Sequence, residues 1–178
     1  MLAALVALAG ACRADGDIEW RHRVTQGALT FSANPLGGAS RTAFYTARGF
    51  APEAIRPYAD ACGFSVGLQN GGAGRLSTRL ADWRAVGADG RVVRLRLPAE
   101  WDRQWAAAHV PQPARTAFRW AQFQAESVFE AGDWIMGMAT LEAPLHGSFR
   151  LVARYRDQKG DHEIVLDQLA CSPDPADH

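Results

Sequence analysis

Trp134, Met136 and Met138 alternate along the stretch DWIMGM. In a strand, successive side chains point to opposite faces, so these three share one face. Two thioethers and an indole on one side suit a soft cation. Thioethers select Cu(I) over harder ions, and an aromatic face adds a cation–π attraction and excludes water. The same three side chains also suit a strand packed on a core, because Met fills irregular gaps. The spacing therefore marks either a soft-metal site or a core face.

The Trp-x-Met-x-Met pattern is similar to the Trp-x-x-Met-x-Met ligand strand of the small periplasmic copper/silver chaperones of tripartite efflux pumps, which also use one His. The match spans six residues of 178, and the Trp stands one residue closer to the first Met. Those chaperones are much smaller barrels. The resemblance implies Met136 and Met138 as ligands of Cu(I) and Trp134 as a near match. It leaves the imidazole open between His146 and His162, the closest in sequence.

Other patterns carry less chemistry. GFSVG, Gly63 to Gly67, spells G-x-S-x-G, but a nucleophile elbow turns from strand into helix, whereas here a helix precedes Ser65 and a strand follows it. QNGGAGRLS lacks the G-K-[ST] of a phosphate cradle and reads as a hairpin loop. The five histidines, at 22, 109, 146, 162 and 178, form no H-x-x-x-H or H-E-x-x-H pair, so zinc hydrolysis has no motif. His162 stands between two acids just past a hairpin turn, where a solvated imidazole is the simpler expectation. A hydrolase site assembled from distant residues would draw on Asp133, His146 and His162. Arg94, Arg96, Arg150, Arg154 and Arg156 form either a cationic sheet face for an anion or the polar side that any half-solvated strand needs.

The elements that must position these residues are mostly strands. VTQGALTFSANP reads as a strand ending in an Asn-Pro turn, and RTAFYTARGF as a second, less regular strand. APEAIRPYADACG predicts a helix, with Pro52 in its first turn, Glu53 at the positive end of the dipole and Gly63 as the stop. Ile55, Tyr58, Ala59 and Cys62 make its apolar stripe, and Pro57 kinks it. AEWDRQWAAAH predicts a short second helix. Asp89-Gly90 predicts a hairpin that turns Val93, Leu95 and Leu97 one way and Arg94 and Arg96 the other. Residues 113–130 carry both periods: Phe118, Ala121, Ala125 and Val128 fit a helix, while Phe123 among Gln122, Gln124 and Glu126 fits a strand, the preferred reading. SFRLVARYR and HEIVLDQLAC read as an antiparallel pair around Gly160. The expected fold is mainly β, an antiparallel β-sandwich or barrel-like domain with one or two short helices.

The whole chain bounds the function. At 178 residues it is one domain, able to hide roughly 70% of its unfolded surface. Nineteen basic residues balance nineteen acidic ones, which argues against nucleic acid as a partner. The apolar run Leu2 to Ala9 is too short to span a bilayer but suits a signal peptide. LAGAC, ending at Cys12, also resembles a bacterial lipobox, whose Cys becomes the lipid-bearing first residue. Residues 1–14 are thus expected to be a leader, 15–172 a single β-rich domain and 173–178 a disordered tail. With Cys12 removed or lipidated, Cys62 and Cys171 remain to pair in an oxidising compartment. The expectation is an exported binding or structural module without catalytic activity, periplasmic or in the cell envelope. It would be free or lipid-anchored, with an envelope protein as a further partner. A copper handler and a hydrolase are the alternatives.

Overall fold

The computed structural model describes residues 19–172. The expected leader with Cys12, and the tail 173–178, lie outside the described residues. The first strands, β1 (His22–Gln26) and β2 (Leu29–Leu36), form a hairpin where a single strand was expected, because Gly27 adopts φ 59° and reverses the chain. Two helices follow, α1 (Gly38–Thr46) and α2 (Pro52–Ala59). β3 (Gly63–Asn70) and β4 (Leu76–Arg79) come next, and a single 3-10 turn, Leu80–Asp82, leads into β5 (Arg84–Gly87) and β6 (Val92–Arg96). After α3 (Pro98–Ala107) and α4 (Gln112–Ala121), the chain returns to strands: β7 (Glu126–Phe129), β8 (Trp134–Leu141), β9 (Ser148–Asp157) and β10 (Gly160–Ala170).

Two readings are corrected. RTAFYTARGF is helical, not extended: Arg41 and Tyr45, four apart, are both buried on one side of α1. Residues 113–130 hold a helix and then a strand, not one strand. Ala114 and Phe118 turn α4 onto an apolar cluster, whereas Phe123 enters a different one after the helix has stopped. Among the described residues, four helices therefore stand where one or two were expected.

The ten strands form one antiparallel sheet. One half runs β1-β2-β3-β8, and β6 continues it by pairing Leu95 and Arg96 with Leu141 and Thr140 of β8. β6 also pairs with β5, whose neighbour β9 carries β10 on its other edge; further along the edge that β5 occupies, β9 pairs with β4, and β4 with β7. The sheet doubles over at β6, because Phe31, Phe64, Val66 and Leu68 from one half share a core with Phe149, Leu151, Ile164 and Leu166 from the other. β1 and β10 come together at the open side without pairing, so no barrel closes. Cys62 and Cys171 stand at disulfide-bonding distance, with Cα atoms 5.1 Å apart, and join the start of β3 to the end of β10.

A second core lies between the helices and the sheet: Tyr45, Phe50, Ile55, Tyr58, Trp101, Trp105 and Phe118. Trp101 and Trp105 stack at 5.2 Å, and Tyr58 and Phe118 meet edge to face at 5.0 Å. The molecule is thus helix layer, sheet, sheet. Among the described residues, no helix is long and apolar enough to cross a membrane.

Candidate functional site

The strand register sets out the outer face of the first half-sheet, the face turned away from the main core. Met136 pairs with Gly67, Gly67 with Ser32, and Ser32 with Arg23. One row on, Trp134 pairs with Gln69, Gln69 with Thr30 and Thr30 with Thr25, whose hydroxyls meet at 3.0 Å. In the other direction, Met138 pairs with Ser65, and Ser65 with Asn34. Trp134, Met136 and Met138 do share this face, and its far end belongs to the helix layer. Met138 packs against the second core, and Thr140 beyond it is buried, accepting from Trp101 Nε1 at 3.0 Å. The helices stop short of the near end, where Met136 is 40% and Trp134 is 62% exposed.

Two devices shape this border. The first is Gly137, whose missing side chain leaves room for the backbone at Gln122 and Phe123 to cross the free edge of β8. There Phe123 N–H donates to the Met138 carbonyl at 2.8 Å, and Gln122 bridges Met138 in parallel. The second is Trp20, whose indole rests over Gly67: a β-carbon there would lie 2.9 Å from the ring. Asn34 holds the Trp20 segment down, donating to the Glu19 carbonyl at 2.8 Å and accepting from Arg21 N–H at 2.6 Å. Beside Gly67, Ser32 is buried.

Under the helix layer runs a one-way chain of buried hydrogen bonds. Tyr58 Oη donates to Gln122 Oε1 at 3.1 Å, Gln122 Nε2 donates to Tyr45 Oη at 2.6 Å, and Tyr45 Oη donates to Met138 Sδ at 3.5 Å. Burial, reinforced by the neighbouring Tyr58, raises the Tyr45 phenol far above its usual range, and burial pushes Tyr58 up to about 12. Both phenols keep their protons near neutrality, so the Met138 sulfur stays occupied by a donor. Arg41 closes the far end of this region. Its buried guanidinium donates to the carbonyls of Tyr58, Ala59 and Ala61 at 2.7, 2.8 and 2.5 Å, capping α2 in the space that Gly63 leaves open.

The remaining candidates are dispersed. His146 is exposed in the loop between β8 and β9. His162 sits on the β9–β10 hairpin in the other half of the sheet, stacked on Tyr155 at 5.3 Å with Nε2 2.9 Å from Asp157 Oδ1. Neither imidazole joins the Trp134 face. Asp133 closes the β7–β8 turn by accepting from Glu130 N–H at 2.8 Å. It precedes β8 and His146 follows it, so this strand alone separates them by roughly 25 Å. Ser65 lies mid-strand between Asn34 and Met138, not on an elbow. Among the described residues, no three His, Cys, Asp or Glu side chains gather closely enough to hold a metal ion.

The arginines are largely paired. Arg94 bridges Glu100 and Glu142 at 2.9 and 2.6 Å, Arg154 and Arg156 share Asp161 at 2.9 and 2.6 Å, and Arg84 grips Glu163 with two bonds. Arg96 lies over the Trp101 ring at 3.7 Å. An open cleft of about 420 Å³ between β4 and β9 is walled by Arg79, Arg154 and Arg156 but also by Asp82 and Asp161. That face is a lattice of ion pairs more than a positive field.

Sequence reasoning missed Trp20, Gly67, Tyr45 and Gln122. Only Gly67 carried a signal, a glycine inside an otherwise regular strand, which marks close approach. No protein-family model matches the chain, and no curated protein matches it. Among solved structures, it is similar to the crystal structure of the YjhA protein from Bacillus subtilis, at 12% identity and a TM-score of 0.46, covering 83% of this chain and 96% of that one.

Proposed function

We propose that the chain is an exported binding or structural module of the periplasm or cell envelope. It acts by recognition and not by catalysis, and the outer face around Trp134 and Met136 is its contact surface. The observation that carries this reading is the incomplete cover of β8: the helix layer packs on a half-buried Met138 and leaves Trp134 and Met136 in solvent. Large apolar side chains left uncovered side by side mark contact surfaces more often than singly exposed ones do. The Cys62–Cys171 pair supports an oxidising compartment. The test is a photo-crosslinking residue at position 134 in living cells, with the same residue at Arg150, on the other half of the sheet, as control. An adduct at 134 and none at 150 is expected. Equal yields at the two positions, or none at 134, would reject the assigned surface.

A soft-metal reading draws on the same strand, because Met136 keeps an exposed thioether one strand repeat from Met138. Cu(I) would have to take the Met138 sulfur from the Tyr45 hydroxyl. A Cu(I) competition titration against a chromophoric chelator under nitrogen decides it. Tight binding of one equivalent, lost in Met136→Ile at unchanged melting temperature, would favour the metal, and no binding would remove it. Met136 is the cleaner variant, because Met138 also packs on the second core.

A further inference from the structure

We infer that the surface the Trp134 face meets is a lipid bilayer, with the near end of β8 and the C-terminal end of α4 lying at the headgroup level. This deepens the export-and-binding reading and rests on it.

Three observations converge. The first is the kind of side chain exposed. Trp120 is 85% exposed, Trp134 62% and Met136 40%. Trp120 is two residues from Gln122, whose backbone bridges Met138, so α4 ends beside the same edge of β8. Indoles, with an apolar body and a polar N–H, are favoured at the membrane–water boundary. The other exposed large apolar residues, Val92 and Val128, stand in cross-strand rows that end on Arg150 and Arg156.

The second observation is charge. Arg23 shares the cross-strand row of Met136, within reach of an anionic headgroup.

The third is where the chain enters. The described residues begin at Glu19 and Trp20, pinned by Asn34 and Gly67 onto this same face. Cys12, the residue the lipobox pattern marks for lipid, is seven residues before Glu19. Seven residues reach at most about 25 Å. A tether that short keeps its point of entry near the bilayer, and the ion-paired face lies a whole sheet-on-sheet sandwich further away. A short link also raises the effective concentration of the face at the surface it meets.

The experiment uses the mature chain as purified from its host, mixed with phosphatidylethanolamine–phosphatidylglycerol vesicles whose acyl chains carry bromine, a short-range quencher of tryptophan. Bound wild-type protein should be quenched, and Trp134→Ser with Met136→Ser should lose roughly half of that quenching with the melting temperature unchanged. Should the double variant unfold, Trp134→Phe replaces it, with the indole signal lost and the packing kept. Vesicle-bound protein without quenching would overturn the proposal, leaving any lipid on Cys12 as a tether alone. Quenching that both variants leave unchanged would overturn it too. A lipid-free dimer that shields Trp134 would assign the face to a second copy instead. A protein adduct at position 134 without bromolipid quenching would reject the bilayer and keep the binding reading. Failure of both experiments would reject both.

Discussion

A methyl group at Gly137 would fall on the backbone of Gln122 and Phe123, while one at Gly67 would meet only the edge of the Trp20 ring. The two glycines lie on adjacent strands, yet they should respond differently, because backbone cannot yield and a terminal side chain can. Gly137→Ala is expected to cost about 1–3 kcal/mol, the usual range for overpacking, and Gly67→Ala less than about 1 kcal/mol. Gly67→Ala should instead lift Trp20 off the sheet, so its emission moves to longer wavelength while the urea midpoint barely changes. A large midpoint shift in Gly67→Ala would show that Trp20 is bound as firmly as the core. Glu100 gives a second test. Its carboxylate accepts from Leu97 N–H at 2.8 Å, satisfying the start of α3, and pairs with Arg94. The Arg94 hydrogen bond is the main reason its pKa falls from 4.5 to about 2. A depressed carboxylate stabilises the fold above its unfolded value and loses that contribution as pH falls through the folded value. Glu100→Ala should therefore cost about 1 kcal/mol at pH 7, most of it from the cap. The gap from wild type should narrow between pH 4.5 and 2, as the charge-dependent part is lost. A gap that stays constant down to pH 2 would mean the charge contributes nothing.

At the scale of elements, the hydrogen-bonded chain from Tyr58 through Gln122 and Tyr45 to Met138 joins α1, α2 and the end of α4 to β8. Tyr45→Phe keeps the ring contacts with Tyr58, Phe50 and Phe118 but leaves Gln122 Nε2 without its acceptor. The expected cost is about 1–3 kcal/mol, that of a buried donor left unsatisfied, read from chemical denaturation. A loss below about 0.5 kcal/mol would show that Gln122 finds another partner. This chain could not be read from the sequence, because Tyr45 and Met138 are 93 positions apart and nothing local couples them. What was legible had a local cause. The β5–β6 hairpin announced itself through Asp89-Gly90, with Gly90 at φ 81°. The helix α2 showed in its Pro, its acid and its apolar stripe. Alternation along β8 placed Trp134, Met136 and Met138 on one face correctly. Alternation could not say that helices from elsewhere in the chain would cover one end of that face and spare the other. α1 was misread because one of its buried positions is Arg41, a residue that no apolar pattern counts. Its guanidinium is buried because it caps carbonyls that α2 leaves open.

Among the described residues, the fold is a folded-over sheet whose halves share strand pairing only through β6, while the open side is bordered by β1 and β10. Cys62 belongs to one half and Cys171 follows the last strand of the other, so their pairing links the halves a second time. The cysteines are 109 residues apart. Closing a loop of that length restricts the unfolded chain by about 4–5 kcal/mol on the chain-entropy estimate. That is comparable to the entire net stability of many single domains. Cys62→Ser with Cys171→Ser, or reduction of the wild type, should lower the unfolding free energy by that order and by the same amount as each other. The two cores would remain apolar and packed, so the unlinked protein should still fold at low temperature and lose its structure well below the wild-type midpoint. The measurement is a pair of urea titrations with and without reductant, run on wild type and on the double variant. If reductant leaves the wild-type curve in place, the thiols are unlinked in solution and the oxidising-compartment reading loses its support. If reductant shifts the wild type but not the double variant, the link is real and ties the two halves of the sheet together.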